Sequence, residues 1–215
     1  MHPVKNMMKV QLGIDILRSD GFACLRGARV GLITNHTGVD GNDTPTIDLL
    51  HHAPDVELVA LFCPEHGIRG DRDEKVPSSV DERTGLPIHS LYGDTRRPTA
   101  AMLRGLDTLV FDVQDVGARF YTYTTTMAYT MEAAAVHGLR YVVLDRPNPI
   151  GGVGVEGPMV DEDQKSFVGY LPVPVRHGMT VGELARFFKG VSHLDVDLTV
   201  VAMQGWKRSM WYDET

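Results

Sequence analysis

Residues 108–148 read TLVFDVQDVGARFYTYTTTMAYTMEAAAVHGLRYVVLDRPN, and their order decides the fold. An apolar run of strand length, 108–115, ends in polar residues. A helical pattern over 120–137 follows, with Gly138 as its stop. A second apolar run, 141–148, then returns to the sheet. Strand, helix and strand in that order give a crossover connection between parallel neighbours, and such crossovers are right-handed.

The same alternation extends outward in both directions. Residues 28–35 (ARVGLITN) and 56–65 (VELVALFCPE) are further apolar runs, and 198–203 reads as another strand. Helical patterns fall over 10–18, 44–52 and 98–103. Thr180 opens one more, with Glu183 at capping-box spacing before LARFF. Near-continuous apolar strands belong to a parallel sheet covered on both faces. The expected fold class is α/β, a doubly wound, mostly parallel sheet with helices on both faces. Ligands of such sheets sit beyond the carboxyl ends of the strands.

Polar residues crowd those ends. The first run finishes at Thr34, Asn35, His36 and Thr37, and the second at Glu65, His66 and Arg69. The third finishes at Asp112, Gln114, Asp115 and Arg119, and the fourth at Asp145, Arg146 and Asn148. Carboxylates, amides and guanidinium groups gathered on one rim describe a polar small-molecule site.

Composition narrows what that site binds. The chain has 215 residues, 43% hydrophobic and 23% charged, which suits a globular domain and not a disordered one. Its net charge of −7 argues against a nucleic-acid partner, which would call for a basic surface. No apolar run is long enough to span a membrane, and the opening residues lack the apolar core of a signal peptide. The chain as written therefore reads as cytoplasmic, or as periplasmic or secreted where a leader has been removed. Two cysteines, Cys24 and Cys63, both in apolar surroundings, offer neither a disulfide framework nor a thiolate metal site.

Motifs for other chemistries are absent or weak. The turn TNHTGVDGND does not make G-x-G-x-x-G, GGVGVEGP (151–158) leads into no clear helix, and no P-loop or G-x-S-x-G elbow occurs. Cys63 shares a strand face with Glu65, so pairing it with His66 requires that histidine to turn back. Zinc ligation by His36, His66 and His177 with Glu65 or Asp115 lacks local ligand spacing. No cofactor and no metal are expected.

Carboxylate chemistry remains. Glu65 directly follows an apolar strand, where desolvation raises a carboxyl pKa and favours the proton-donating form. A salt bridge to Arg69 or Arg72 is the competing explanation for it. Asp112 and Gln114 share one strand face and Asp115 lies at the strand end, with one of the aspartates expected to cap the following helix. Phe120, Tyr121 and Tyr123 offer ring faces suited to a sugar. Arginines 69, 119 and 146 are candidates to hold a substrate carboxylate.

Six strings occur in order: LITNHTG, PEHGIRG, FDVQDVGARFYTY, LDRPNPIGG, VEGP and PVRHGMTVGELA. Together they resemble the exo-acting β-N-acetylmuramidases, a glycoside hydrolase family formerly carried as a domain of unknown function. The resemblance covers roughly residues 10–206. It implies a Rossmann-like N-terminal domain, removal of terminal N-acetylmuramic acid from the non-reducing end of peptidoglycan fragments (MurNAc-GlcNAc type), and a role in cell-wall recycling or scavenging.

By motif, Glu65 would be the catalytic acid. Asp115, Arg119, Tyr121, Tyr123 and Asn148 would line the sugar subsite, with Glu156 and His177 nearby. Glycoside cleavage commonly uses a second carboxylate, for which Glu156, Asp115 and Asp112 are the candidates. Arg69, Arg119 or Arg146 would meet the lactyl carboxylate of muramic acid. Family members are longer, so residues 1–204 are expected to form the N-terminal domain and 205–215 to begin a linker to a C-terminal domain, the other expected partner, with Trp206, Met210 and Trp211 marking the interface. A non-catalytic amino-sugar-binding domain of the same fold is the alternative.

Overall fold

The computed structural model describes residues 9–64, 67–68, 79–93 and 95–215. Its elements, in chain order, are α1 (Gly13–Ser19), β1 (Arg29–Thr34), α2 (Thr46–His51), β2 (Glu57–Cys63), β3 (Ser79–Val80), β4 (Pro87–Ser90), β5 (Thr108–Asp112), α3 (Thr122–His137), β6 (Arg140–Leu144), α4 (Val181–Val191) and β7 (Asp197–Val201). The strands form one sheet in the order β3-β4-β2-β1-β5-β6-β7. Every pairing is parallel except that of the two-residue β3 with β4.

Side-chain alternation divides the core into two layers. Leu109, Phe111, Tyr141 and Val143 face α3 and α4 on one side of the sheet. Val110, Val142 and Leu144, with Val30 and Leu32, face α1 and α2 on the other. Helices therefore cover both faces, which is why the central strands are apolar at almost every position. In β2 the alternation slips: Leu58 and Leu61 face the α1/α2 layer while Val59 and Ala60 both meet the other. The register shift between Val30 and Gly31 of β1 records this bulge.

Most expected elements exist with trimmed ends. The β6 strand stops at Leu144, because Pro147 lacks the N–H that a longer ladder would need. Residues 98–103 form turns and not a helix; Gly105, at φ 82°, ends the stretch before a second helical turn can build. The short β3 and β4, with Pro87, His89 and Ser90, carry no apolar run that would have announced them.

Residues 205–215, expected as the start of a linker, lie against the domain. The Gly152 N–H donates to the Arg208 carbonyl (2.7 Å) and the Tyr212 N–H to the Pro149 carbonyl (3.1 Å). Trp206 sits on Gly152 and is half-buried, as is Met210, whereas Trp211 is 54% exposed.

Chain order places the crevice. From β1 the chain moves to β2 and β4 on one side, then crosses to β5, β6 and β7 on the other. The carboxyl ends of β1 and β5 flank this reversal, and Asn35 and Asp115 stand just beyond them.

Candidate active site

The β5 end is built around Asp112. Its carboxylate is fully buried and takes both prongs of Arg146, Nε to Oδ1 at 2.6 Å and Nη2 to Oδ2 at 2.9 Å. The Thr46 hydroxyl also donates to it, and Arg146 Nη2 reaches the Val39 carbonyl at 2.8 Å. Asp112 and Arg146, expected to touch substrate, are thus spent on each other. They tie β5, β6, α2 and the loop after β1 together, as a buried charge must be paired to be tolerated.

Gln114 and Asn148 are likewise committed. The Gln114 side chain donates to the Asp115 and Pro147 carbonyls at 2.7 and 2.8 Å, and Asn148 bonds Met179 and Ile150. Asp145 accepts from the Gly182 N–H, the Thr180 hydroxyl and the Arg146 N–H, bridging β6 to the start of α4. Burial pushes its carboxyl above the usual range despite those donors. The capping box read at Thr180 and Glu183 is present, with the Glu183 N–H donating to Thr180 Oγ1 at 3.2 Å.

Asp115 and Asn35 differ from these neighbours. Asp115 Oδ2 accepts the Gly117 N–H at 2.7 Å, and His177 Nε2 lies 3.3 Å from the same oxygen in a contact too poorly aligned for a hydrogen bond. Gly117 makes this turn at φ 83°, and a Cβ there would fall 2.4 Å from Asn148 Oδ1, so only glycine fits. His177 Nδ1 accepts the Met179 N–H at 3.2 Å, which leaves the proton of the neutral ring on Nε2, facing Asp115. Asn35 Oδ1 accepts the Thr37 N–H and hydroxyl, and Thr37 Oγ1 in turn accepts the Gln114 N–H.

Among the described residues, three buried polar atoms at this rim have no hydrogen-bond partner: Asn35 Nδ2, Asp115 Oδ1 and His177 Nε2. Native proteins leave few such atoms, and a cluster at a strand-end crevice needs an explanation. A donor amide, an acceptor carboxylate and a ring N–H, all set beyond the strand ends, complement a ligand that both accepts and donates.

The remaining candidates are distributed as follows. Arg119 is half-buried beside the loop 158–175, while Tyr121 and Tyr123 meet edge to face at 4.8 Å at the start of α3. Glu156 is 68% exposed and paired with Arg176. Glu65, His66 and Arg69 lie outside the described residues; of the other histidines considered for zinc, His36 is exposed while His177 is buried. Cys63 is buried, and burial pushes its thiol up to about 12, which removes thiolate at neutral pH.

Among the described residues no group of three or more His, Cys, Asp or Glu is arranged to hold a metal ion, and no helix is long and apolar enough to cross a membrane. A separate cleft of about 560 Å³, lined by Lys9, Gln11, Asp15, Asn42 and Gln204 among others, shares none of the predicted site residues.

Sequence reasoning missed Thr46, whose hydroxyl completes the Asp112 shell from α2, and the clamp formed by Arg176 and Arg208. Arg176 donates to the Ile150 carbonyl, and Arg208 donates to Gly152 and Gly178. Nothing in a single threonine or an isolated arginine announces such contacts. The packing of Gly154 on the Arg176 guanidinium, as close as 2.6 Å for a built Cβ, explains in retrospect the glycine-rich run at 151–157.

Known proteins show the same architecture. Residues 30–215 match the model for the N-terminal part of the exo-β-N-acetylmuramidase NamZ. The peptidoglycan β-N-acetylmuramidase NamZ of Bacillus subtilis is 53% identical over 209 residues, covering 96% of this chain and 50% of its own length. Two crystal structures of DUF1343 family proteins from Bacteroides fragilis superpose with TM-scores of 0.91 and 0.83, at 50% and 37% identity, each over 95% of this chain and 53% and 55% of theirs. The chain spans about half the length of these relatives.

Proposed function

Because this chain belongs to the exo-β-N-acetylmuramidase NamZ family, we propose that it forms the Rossmann-like half of a glycosidase. Its substrate is the terminal N-acetylmuramic acid at the non-reducing end of peptidoglycan fragments, and its place is in cell-wall turnover or recycling. The observation that carries this reading is the cluster of unpartnered buried atoms, Asn35 Nδ2, Asp115 Oδ1 and His177 Nε2, at the strand-order reversal. A sugar with an acetamido group and ring hydroxyls supplies both the acceptors and the donors they lack.

The chemistry divides between two carboxyl groups. Glu65, two residues beyond the end of β2, gives its proton to the glycosidic oxygen as the bond to the leaving sugar breaks, and water supplies the hydroxyl that the anomeric carbon gains. Of the three candidates for its partner, Asp112 is neutralised by Arg146, and Glu156 is exposed and paired with Arg176. Asp115 is buried, unpaired at Oδ1 and flanked by the His177 ring N–H. It is the second carboxylate, facing the positive charge that develops at the anomeric carbon, and desolvation strengthens that interaction.

The relatives' additional length is the natural source of the opposite wall of the cleft. Phe120, Val153, Val155, Met159, Trp211 and Tyr212 are each more than 50% exposed, on segments that follow the strand ends. So many large apolar side chains left in water favour a surface that another part of the protein covers. Incubation of the full-length polypeptide with MurNAc-GlcNAc, analysed by mass spectrometry, tests the reading: free N-acetylmuramic acid is expected, and an intact disaccharide overturns it.

A further inference from the structure

We propose that Arg119 selects the substrate by pairing with the lactyl carboxylate that distinguishes N-acetylmuramic acid from N-acetylglucosamine. The inference rests on the glycosidase reading above and adds to it the residue that reads the acid. Arg119 lies in the loop between β5 and α3, at the rim that carries Asp115. Its backbone N–H donates to the Val175 carbonyl at 2.8 Å. Its Nη1 donates to the Pro158 and Val173 carbonyls, both at 2.7 Å.

These contacts hold the guanidinium in place without cancelling its charge, since both acceptors are neutral. The neighbouring arginines are different. Arg146 is matched to Asp112, Arg176 to Glu156 and Arg208 to Glu183. Arg119 has no carboxylate partner among the described residues, and its Nε and Nη2 make no hydrogen bond there. A guanidinium held through Nη1, with the Nε and Nη2 donors left over, is prepared for a bidentate carboxylate and loses little side-chain freedom on binding. The chain's net charge of −7 makes such a local cation necessary, because the overall field repels an anionic sugar.

The test is calorimetric titration of the full-length polypeptide with N-acetylmuramic acid, N-acetylglucosamine and the carboxamide of N-acetylmuramic acid. The wild type is expected to prefer the acid over the other two by about tenfold to a hundredfold, the range of a charge-assisted bidentate contact. Arg119→Gln should abolish the preference, and Arg119→Lys should restore part of it. A carboxamide bound as tightly as the acid overturns the proposal, and that comparison needs no variant to fold. An Arg119→Gln protein that keeps the preference, or a wild type that discriminates between none of the three, overturns it as well. Preference for the acid without turnover of any muramide supports Arg119 and removes the glycosidase reading; turnover without preference removes Arg119 alone.

Discussion

His177 and Asp115 face each other across 3.3 Å, Nε2 to Oδ2, with side chains 0% and 5% exposed. The Met179 N–H fixes which ring nitrogen carries the proton, so the pair is oriented before any ligand arrives. ¹⁵N shifts of the neutral His177 ring should report the Nε2–H tautomer. His177→Ala should lower kcat/KM on a muramide by about 10²-fold or more, the scale of a positioned proton-bearing group. An unchanged rate in a folded variant would remove the pair from the mechanism.

The Asp112–Arg146 pair makes the opposite prediction. Both groups are buried and satisfied by each other, so Asp112→Ala strands the guanidinium. The expected loss is about 3–5 kcal/mol of unfolding free energy. Urea unfolding measures it as a lower midpoint at unchanged slope. A loss below about 1 kcal/mol would show that the pair does not hold the rim together.

Cys63 stands two residues before Glu65 yet is chemically silent. With its thiol pushed up to about 12 by burial, it should resist Ellman's reagent in the folded chain at pH 8 and react once unfolded. Cys63→Ala should retain muramide hydrolysis. Rapid labelling of the native protein at Cys63 would contradict this account.

Asp40 contributes to stability on the acid side. Burial raises its carboxyl pKa, but the Thr44 and Asn42 N–H groups and Arg18 outweigh that effect and hold it below the ordinary 3.8. A depressed folded pKa contributes stability above the unfolded value and loses it as pH falls through the folded one. The difference in Tm between wild type and Asp40→Asn should therefore be present at pH 7 and narrow below about pH 4. A difference independent of pH would assign it to shape and not to charge.

The sheet was legible because its central strands are buried on both faces, and continuous apolar runs such as 108–112 and 141–144 carry that directly. The short strands β3 and β4 have no such run and were not. Site residues divided along a different line. The sequence could place Asp112, Asp115, Arg119 and Arg146 at the strand ends, because strand direction does so. It could not say which charges neutralise one another, since the Asp112–Arg146 contact joins residues 34 apart. That pairing removes two candidates and leaves Asp115 and Arg119 available, a distinction visible only in three dimensions.

The central claim is glycoside cleavage with Glu65 as the acid. It is tested most directly by the rate at which the full-length polypeptide releases a chromophore from an N-acetylmuramide, compared with its Glu65→Gln variant. The wild type should turn over and the variant should be slower by about 10²–10⁴-fold with unchanged Tm. A Glu65→Gln protein that keeps near-normal turnover would contradict the account.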